Sequence, residues 1–441
     1  MDKRRRSTAT SAEPAPAQAP SLLDCMRSMR AVSAVVRHGS TVKAAETMHI
    51  SQPAVARSII GFEKAIKLML FSRATRGMAP TPPGAGLAAR IDVVLHHLAR
   101  AAIESVEASP LQARPMTTQS RFASAVTPAQ LRAIMAITAH GSEARAAVPL
   151  GVTQPAVHAA LQRLEGLVGV RLFYKLAIGT RLTPAGEALL RRVKLALAEI
   201  RAMESDLAAW RGEVQGRIVI GVLPLAVTNF VPRAVAALVA QHPNIRIQLV
   251  DGTYESLVRQ LLGADIDAIA GALRADEPDG ELRQLHLFDD DLVVVVRAGH
   301  PILRRSQSSL AELLKWDWVT PLPNTPAERA IDTVFRSQGL QPPAKDLQAS
   351  SPAMTLAFVM QTGRLALASR SQALVDNYSG QLCIVPMPLP LSTRRIGVAT
   401  RAIGEPSHDL QLFLDACRSA VPQLDAPPRA GARPKQRRAA T

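Results

Sequence analysis

Gly39-Ser40-Thr41-Val42-Lys43-Ala44-Ala45-Glu46-Thr47-Met48-His49-Ile50-Ser51-Gln52-Pro53-Ala54-Val55-Ala56-Arg57 decides the fold of this chain. A helical run from Leu23 to Arg37 precedes it, and Gly39 suits the left-handed residue that ends such a run. Ser40 is placed to cap a second helix, in which Ala44 and Ala45 allow another helix to cross closely. Ser51 is placed to cap a third, with Pro53 in the first turn, where a missing N–H costs nothing. Ser40, Ser51, Gln52, Pro53 and Arg57 thus cluster at the helix starts, with short or forked polar groups suited to phosphates and base edges. Beyond Phe71, Arg73 and Arg76 flank a short turn at Gly77, and Thr81 with Gly84 follows. The pattern is three helices and a basic β-wing.

The pattern recurs. Met29-Arg30-Ala31-Val32 returns as Leu131-Arg132-Ala133-Ile134, and His38-Gly39-Ser40 as His140-Gly141-Ser142. Without a gap, the same spacing maps Ser51-Gln52-Pro53-Ala54-Val55 onto Thr153-Gln154-Pro155-Ala156-Val157. It also maps Glu63 onto Glu165, Leu70-Phe71 onto Leu172-Phe173, and Thr81-Pro82 with Gly84 onto Thr183-Pro184 with Gly186. Polar residues and glycines matching in register mark a repeated module rather than two alanine-rich helices. The second copy offers Thr153, Gln154, Pro155, His158 and Arg163 on its third helix, and Lys175 and Arg181 on its wing. It has Ala159 where the first has Arg57, and Pro149 near the end of its second helix. The first copy is therefore expected to do more of the base reading and the second to be partly structural.

Charge follows the same division. The formal net charge is +16, of which residues 1–126 carry +9, 127–216 carry +4, 217–422 carry −1 and 423–441 carry +4. A basic N-terminal half suits a polyanion, and a nearly neutral C-terminal half suits another task. No run of about 18 apolar residues suggests a membrane span. The basic cluster at Lys3–Arg6 leads into an Ala/Pro/Ser/Thr-rich stretch without the apolar core of an export signal, so the cytoplasm (in a bacterium, the nucleoid) is the expected location. Cys25, Cys383 and Cys417 are too scattered for a disulfide framework or zinc cluster.

The two repeated strings resemble the N-terminal module of LysR-type transcriptional regulators, over about 60 residues in each copy. Family members usually have one such module. The resemblance implies double-stranded DNA and RNA polymerase as partners, a small-molecule effector, assembly as a homodimer or homotetramer, and no enzymatic activity. Each module runs into an amphipathic helix, with Leu87, Ile91, Val94, Leu98 and Val106 after the first and Leu189, Val193, Leu197, Ile200 and Leu207 after the second. Relatives dimerise through this helix. Here the two helices can pair within one chain, making a pseudo-twofold DNA reader, or between chains.

From Arg217 short apolar strands alternate with helices, which points to a mostly parallel α/β sheet. This part resembles the family's two-lobed, periplasmic-binding-protein-like (type II) effector domain. Val250-Asp251-Gly252-Thr253-Tyr254 and Ile266-Asp267 narrow the resemblance to the galactose-binding-protein regulator and aromatic-catabolism regulators. The expected fold is thus multidomain, with two helix-rich winged helix-turn-helix domains ahead of that α/β domain. The boundaries are a tail over 1–20, module one over 21–86, a linker helix and flexible connection over 87–125, module two over 126–186, a linker helix over 187–215, the effector domain over 216–422 and a basic tail over 423–441. In such folds ligands bind between lobes at strand ends and helix N-termini. The positions here are Pro224, Leu225, Thr228, Thr320, Asn324, Ser350 and Ser351, for a small carboxylate, aromatic catabolite or sugar-like metabolite. Taken singly, Ser350 reads as an N-cap and Thr320 and Asn324 as turn residues.

Other chemistry has little support. No glycine-rich phosphate loop follows a strand. His242 and His300 read as turn residues, and Asp289-Asp290-Asp291 as a solvated strand start rather than a metal site. Cys383 reads as packing, and no metal or cofactor is expected. Two other classes remain open from sequence. One is an architectural DNA-binding protein without effector; the other is a solute-binding or enzymatic α/β domain with basic attachments.

Overall fold

The computed structural model describes residues 21–74, 77–109, 119–176, 179–223, 230–274, 280–305, 308–323, 325–376 and 380–421. The chain divides into two units, residues 1–190 and 191–441.

In the first unit a 3-10 turn (Leu22–Cys25) leads into α1 (Met26–His38), α2 (Thr41–Met48), α3 (Gln52–Ile66), β1 (Phe71–Ala74), β2 (Gly77–Pro80) and the long α4 (Pro82–Glu107). After α5 (Gln119–Ala125) come α6 (Pro128–His140), α7 (Glu143–Leu150), α8 (Gln154–Val168), β3 (Phe173–Leu176), β4 (Gly179–Leu182) and α9 (Pro184–Trp210), whose residues from Arg191 on belong to the second unit. From α2 and α7 onward, each element of the second set starts 102 residues after its counterpart. The local causes repeat as well. Gly39 and Gly141 end the first helices at φ 63° and 76°, where a Cβ would be strained. Ser40 and Ser142 accept hydrogen bonds from the N–H groups of Val42 and Arg145, both at 3.2 Å. Ser51 and Thr153 stand at the N-caps of α3 and α8 in extended conformation, but their side chains make no capping bond. The expected Ser51 cap is therefore a matter of backbone position only, on an exposed residue.

The motif glutamate and threonine bind each wing to its helix. Glu63 Oε1 accepts the N–H groups of Leu70 and Phe71 at 2.7 and 3.1 Å, and Glu165 Oε1 accepts that of Leu172 at 2.8 Å. Thr81 caps α4 through Gly84 N at 3.2 Å while donating to Met69 O at 2.8 Å, and Thr183 does the same with Gly186 N and Arg171 O. At Gly84 a Cβ would lie 2.0 Å from Leu70 O, and at Gly186 2.1 Å from Leu172 O. Only glycine lets the chain pass there.

The connection between modules departs from expectation. Its described part is not a flexible tether: α5 buries Phe122 completely and packs against α4. On α4, Leu87, Ile91, Val94 and Leu98 are buried, and the face continues through Ala101, Ala102 and Ser105, with Val106 at its edge. A single aromatic among small polar residues was the available signal.

In the second unit β5 (Gly216–Val222), α10 (Phe230–Gln241), β6 (Ile245–Asp251), α11 (Tyr254–Leu262) and β7 (Ala268–Ala272) form a first half. The 16-residue β8 (Leu282–Arg297) crosses into a second, with α12 (Leu310–Leu313), β9 (Trp318–Pro321), α13 (Pro326–Arg336), β10 (Gln348–Ala349), α14 (Pro352–Thr362), β11 (Leu365–Ser369), α15 (Arg370–Asp376) and β12 (Leu382–Ile384). Then β13 (Thr393–Arg401) and α16 (His408–Ala420) return to the first half, where Phe413 and Cys417 pack with Ile220 and Phe230. The sheet runs β10-β9-β11-β8-β13-β7-β5-β6, with β12 also on β8. It is mixed rather than mostly parallel, because β8 and β13 run antiparallel to all their partners. The apolar run Leu292–Val296 and Ile396-Gly397-Val398 lie on these two crossing strands. Each half has cores on both sheet faces, Phe230 and Leu257 lying on opposite sides of the first and Phe335 and Val359 on opposite sides of the second.

Replacing the buried Phe122 by alanine (Phe122→Ala) is expected to cost about 3–5 kcal/mol of stability, read by denaturant unfolding. A polar tether would give no change.

Candidate nucleic-acid interface and effector cleft

In the first module Ser51, Gln52, Pro53 and Arg57 lie exposed at the start of α3. Gln52 Nε2 donates to Thr41 Oγ1 at 3.3 Å, which orients its amide. Arg57 makes no hydrogen bond among the described residues. Ser40 is occupied as a cap, half-buried. Arg73 lies in β1, and Arg76 falls outside the described residues.

In the second module Thr153, Gln154 and Pro155 are exposed at the corresponding helix start. His158 is engaged inward: its Nδ1 lies 3.0 Å from Glu143 Oε2, while the other carboxylate oxygen of Glu143 is buried without a partner. Glu143 occupies the place that Thr41 has in the first copy. The two helix starts are thus organised by different side chains, one by a neutral hydroxyl and amide and the other by an imidazole and carboxylate. Arg163 spends its Nε on Ala159 O at 3.1 Å. Lys175 and Arg181 stand exposed on the wing, opposite Thr180 and Tyr174.

The modules touch one another within the first unit through matched groups. Arg132 of α6 binds Asp24 with two parallel bonds, Nη1 to Oδ1 at 2.7 Å and Nη2 to Oδ2 at 2.8 Å. Arg30 of α1 donates Nη2 to Val126 O at 3.0 Å. Under the repeat spacing Arg30 corresponds to Arg132, and Asp24 to Val126. The two contacts are therefore the same contact made in both directions, as in a twofold interface. The Arg132 hydrogen bonds hold the Asp24 carboxyl below the ordinary carboxylate range.

In the second unit the C-terminal ends of β7 and β11 meet the middle of the β8–β13 pair, through Ala272–Ile396 and Ser369–Leu292, so strand ends of both halves face the seam between them. Tyr254 and Glu255 start α11, and Arg274 follows β7. The Arg274 guanidinium stacks 3.6 Å from the Tyr254 ring centroid and pairs with Glu255 at 3.0 Å. Glu255 is held below its usual pKa first by its own backbone N–H, then by Arg274, and also by Arg329 of α13 in the other half.

Of the residues singled out for the effector, Pro224, Leu225, Thr228 and Asn324 lie outside the described residues. Thr320 is not a turn residue: it sits inside β9, 3% exposed, with its hydroxyl 3.4 Å from Leu347 O. Ser351 is the N-cap of α14, accepting from Met354 N at 3.3 Å, and Ser350 is exposed just before it. The cap reading of Ser350 therefore moves by one residue. Asp290 is no solvated strand start either. It is 6% exposed where β8 crosses between halves, accepting Ser369 Oγ and, at 3.2 Å, Ser371 N. Arg394 Nη2 lies 3.9 Å away, and its Nε and Nη2 are buried without hydrogen bonds. Sequence reading passed over Glu255, Arg274 and Arg394, since nothing local distinguishes them from surface charges. His300 caps a 3-10 turn through Nδ1 and packs its ring on Trp316, and Cys383 is half-buried in β12. Among the described residues no cluster of metal-ligating side chains occurs and no helix is long and apolar enough to cross a membrane.

Comparison with known proteins agrees with this layout. The bacterial regulatory helix-turn-helix pattern of the LysR family matches residues 26–85 and 128–187, and the LysR substrate-binding domain matches residues 211–422. The transcriptional regulator GalR of Pseudomonas putida is 30% identical over 379 residues, 85% of this chain and 91% of its own length. The regulator GbpR of Rhizobium radiobacter is 30% identical over 253 residues, 57% of this chain and 83% of its own. A full-length OxyR variant from Pseudomonas aeruginosa shares the fold at a TM-score of 0.51 and 19% identity, covering 66% of this chain and 98% of that one. With both helix-turn-helix matches and the substrate-binding match in one chain, the protein belongs to the LysR family of bacterial transcriptional regulators.

Proposed function

We propose that this regulator reads DNA with two unlike modules of a single chain, paired about a pseudo-twofold axis, under control of a small effector. The observation that carries the reading is the reciprocal Arg132–Asp24 and Arg30–Val126 contact. The alignment with GalR supports it, since 85% coverage takes in part of the first module as well as the second and the C-terminal domain. The operator would then hold two different half-sites. Ser51, Gln52, Pro53 and Arg57 face one, and Thr153, Gln154 and Pro155 the other. Arg73, Arg76, Lys175 and Arg181 are assigned to the flanking phosphates, as is Arg163 of α8. Here His158 acts by orienting the helix start with Glu143 rather than by touching bases, and Ser40 acts as a cap.

The effector domain is taken as a two-lobed periplasmic-binding-like fold of type II, with the ligand in the crevice bounded by Tyr254, Arg274, Arg329, Ser350 and Ser351. Two guanidinium groups there favour a carboxylate or polyhydroxylated metabolite. Assembly as a homodimer or homotetramer, recruitment of RNA polymerase and residence in the cytoplasm complete the proposal.

Footprinting on the protein's own promoter region tests the DNA reading. Affinity should fall about a thousandfold or more between 50 and 200 mM salt. Arg57→Ala should lose about 1–3 kcal/mol at its own half-site only, whereas Arg181→Ala should weaken all duplexes evenly and flatten the salt dependence. Equal loss across both half-sites for Arg57→Ala would refute separate half-site reading. For the crevice, thermal-shift screening of sugars and small carboxylates should yield a stabilising compound whose shift disappears in Arg274→Ala. An unchanged shift would remove that residue from the site.

A further inference from the structure

The second unit has a cavity that the effector reading does not use. It measures about 400 Å3 and lies between α9, the N-terminal starts of β5 and β6, the end of β13 and the loop before α16. The proposed crevice is at the opposite ends of the same strands. Seven residues of β5 at about 3.3 Å each put roughly 20 Å between the two.

Four guanidinium groups line the cavity: Arg201 from α9, Arg217 from β5, Arg246 from β6 and Arg401 from β13. Arg401 is committed, donating to Leu261 O at 3.2 Å and Ile266 O at 2.7 Å, with Asp267 at 3.6 Å. Among the described residues Arg217 has one side-chain partner, the neutral Gln248, at 3.0 Å. Arg201 and Arg246 make no hydrogen bond or close ion pair among the described residues. Arg201 is open to solvent yet closely surrounded by protein, and its pKa is pushed down first by that surrounding mass and also by Arg401 and Arg217. Asp267 and Glu204 attract it from farther off.

The acidic groups of the lining are already engaged. Asp267 accepts Val219 N at 2.9 Å, Glu405 pairs with Arg283, and Glu199 and Glu204 have partners of their own. Asp409 is buried, accepts Leu410 N at 2.9 Å, and its pKa is raised by burial, which favours its neutral form. Three of the four guanidinium groups, those of Arg201, Arg217 and Arg246, therefore have no carboxylate within ion-pair distance among the described residues, although five carboxylates also belong to the lining.

We propose that this cavity is a second ligand site, for a compact multivalent anion of carboxylate or phosphate chemistry, held by Arg201, Arg217 and Arg246. An anion there would bridge α9 to the sheet and fix the helix that enters this unit, so binding would bear on the helix as well as on the pocket. The inference does not depend on the crevice reading.

The test is calorimetric titration of the full-length protein with citrate and, separately, inorganic pyrophosphate, at constant ionic strength set by chloride. Saturable binding of either probe is expected, citrate alone indicating a carboxylate ligand and pyrophosphate alone a phosphate one. Arg201→Gln and Arg217→Gln should each weaken it at least tenfold with unchanged circular dichroism. Arg274→Ala, in the other crevice, should leave it intact. No binding above the chloride control, undiminished binding in Arg201→Gln, or loss in Arg274→Ala would overturn the proposal.

Discussion

The arrangement of the N-terminal half depends on one contact made twice. Arg132 grips Asp24 through a planar two-bond fork, and the equivalent Arg30 reaches back to the carbonyl of Val126. A guanidinium suits both tasks because its donors are fixed in a plane and it never loses its charge. The contacts differ in strength as well as partner. The first is partly exposed and charge-assisted; the second leaves Arg30 Nε buried without a partner. Repetition of the module has thus left an interface that is twofold in placement and asymmetric in chemistry. The short α5, whose Phe122 is fully buried, packs on α4 and touches α8 of the second module.

Within each module a small set of ties holds the recognition helix against the wing. One carboxylate oxygen bridges from α3 or α8 to the wing strand, and a threonine and a glycine bring the next helix against the same backbone. These residues account for the matches between copies. The differences fall where the helix starts are organised: Thr41 with Gln52 in one module, Glu143 with His158 in the other. Another difference is structural. Lys67 takes the left-handed conformation at φ 57° where the second copy has Gly169, a strain of about 1–2 kcal/mol for a residue with a side chain.

The modules were legible in the sequence because their determinants are local. A glycine stop, a serine cap, a proline in the first helical turn and a Thr-Pro-x-Gly turn act within a few residues of themselves. The α/β half was legible as alternating strands and helices, but strand direction was not, since the long β8 and the returning β13 reverse the expected parallel order. Asp290 looked solvated because its neighbours are charged, yet strand alternation turns it into the junction toward Ser369, 79 residues away. Thr320 likewise lost its apparent turn character by joining a sheet. The cationic cavity was invisible for the same reason, since its four arginines come from four elements spread between residues 201 and 401.

The central claim is that the two modules pair with each other inside one chain. Sedimentation of the fragment spanning residues 1–215, which keeps α9 whole, alone and on an operator duplex, tests it most directly. The account predicts a monomer that nonetheless occupies both half-sites as a one-to-one complex. A fragment that is solely dimeric at low concentration, with each half-site taken by a different chain, would contradict it.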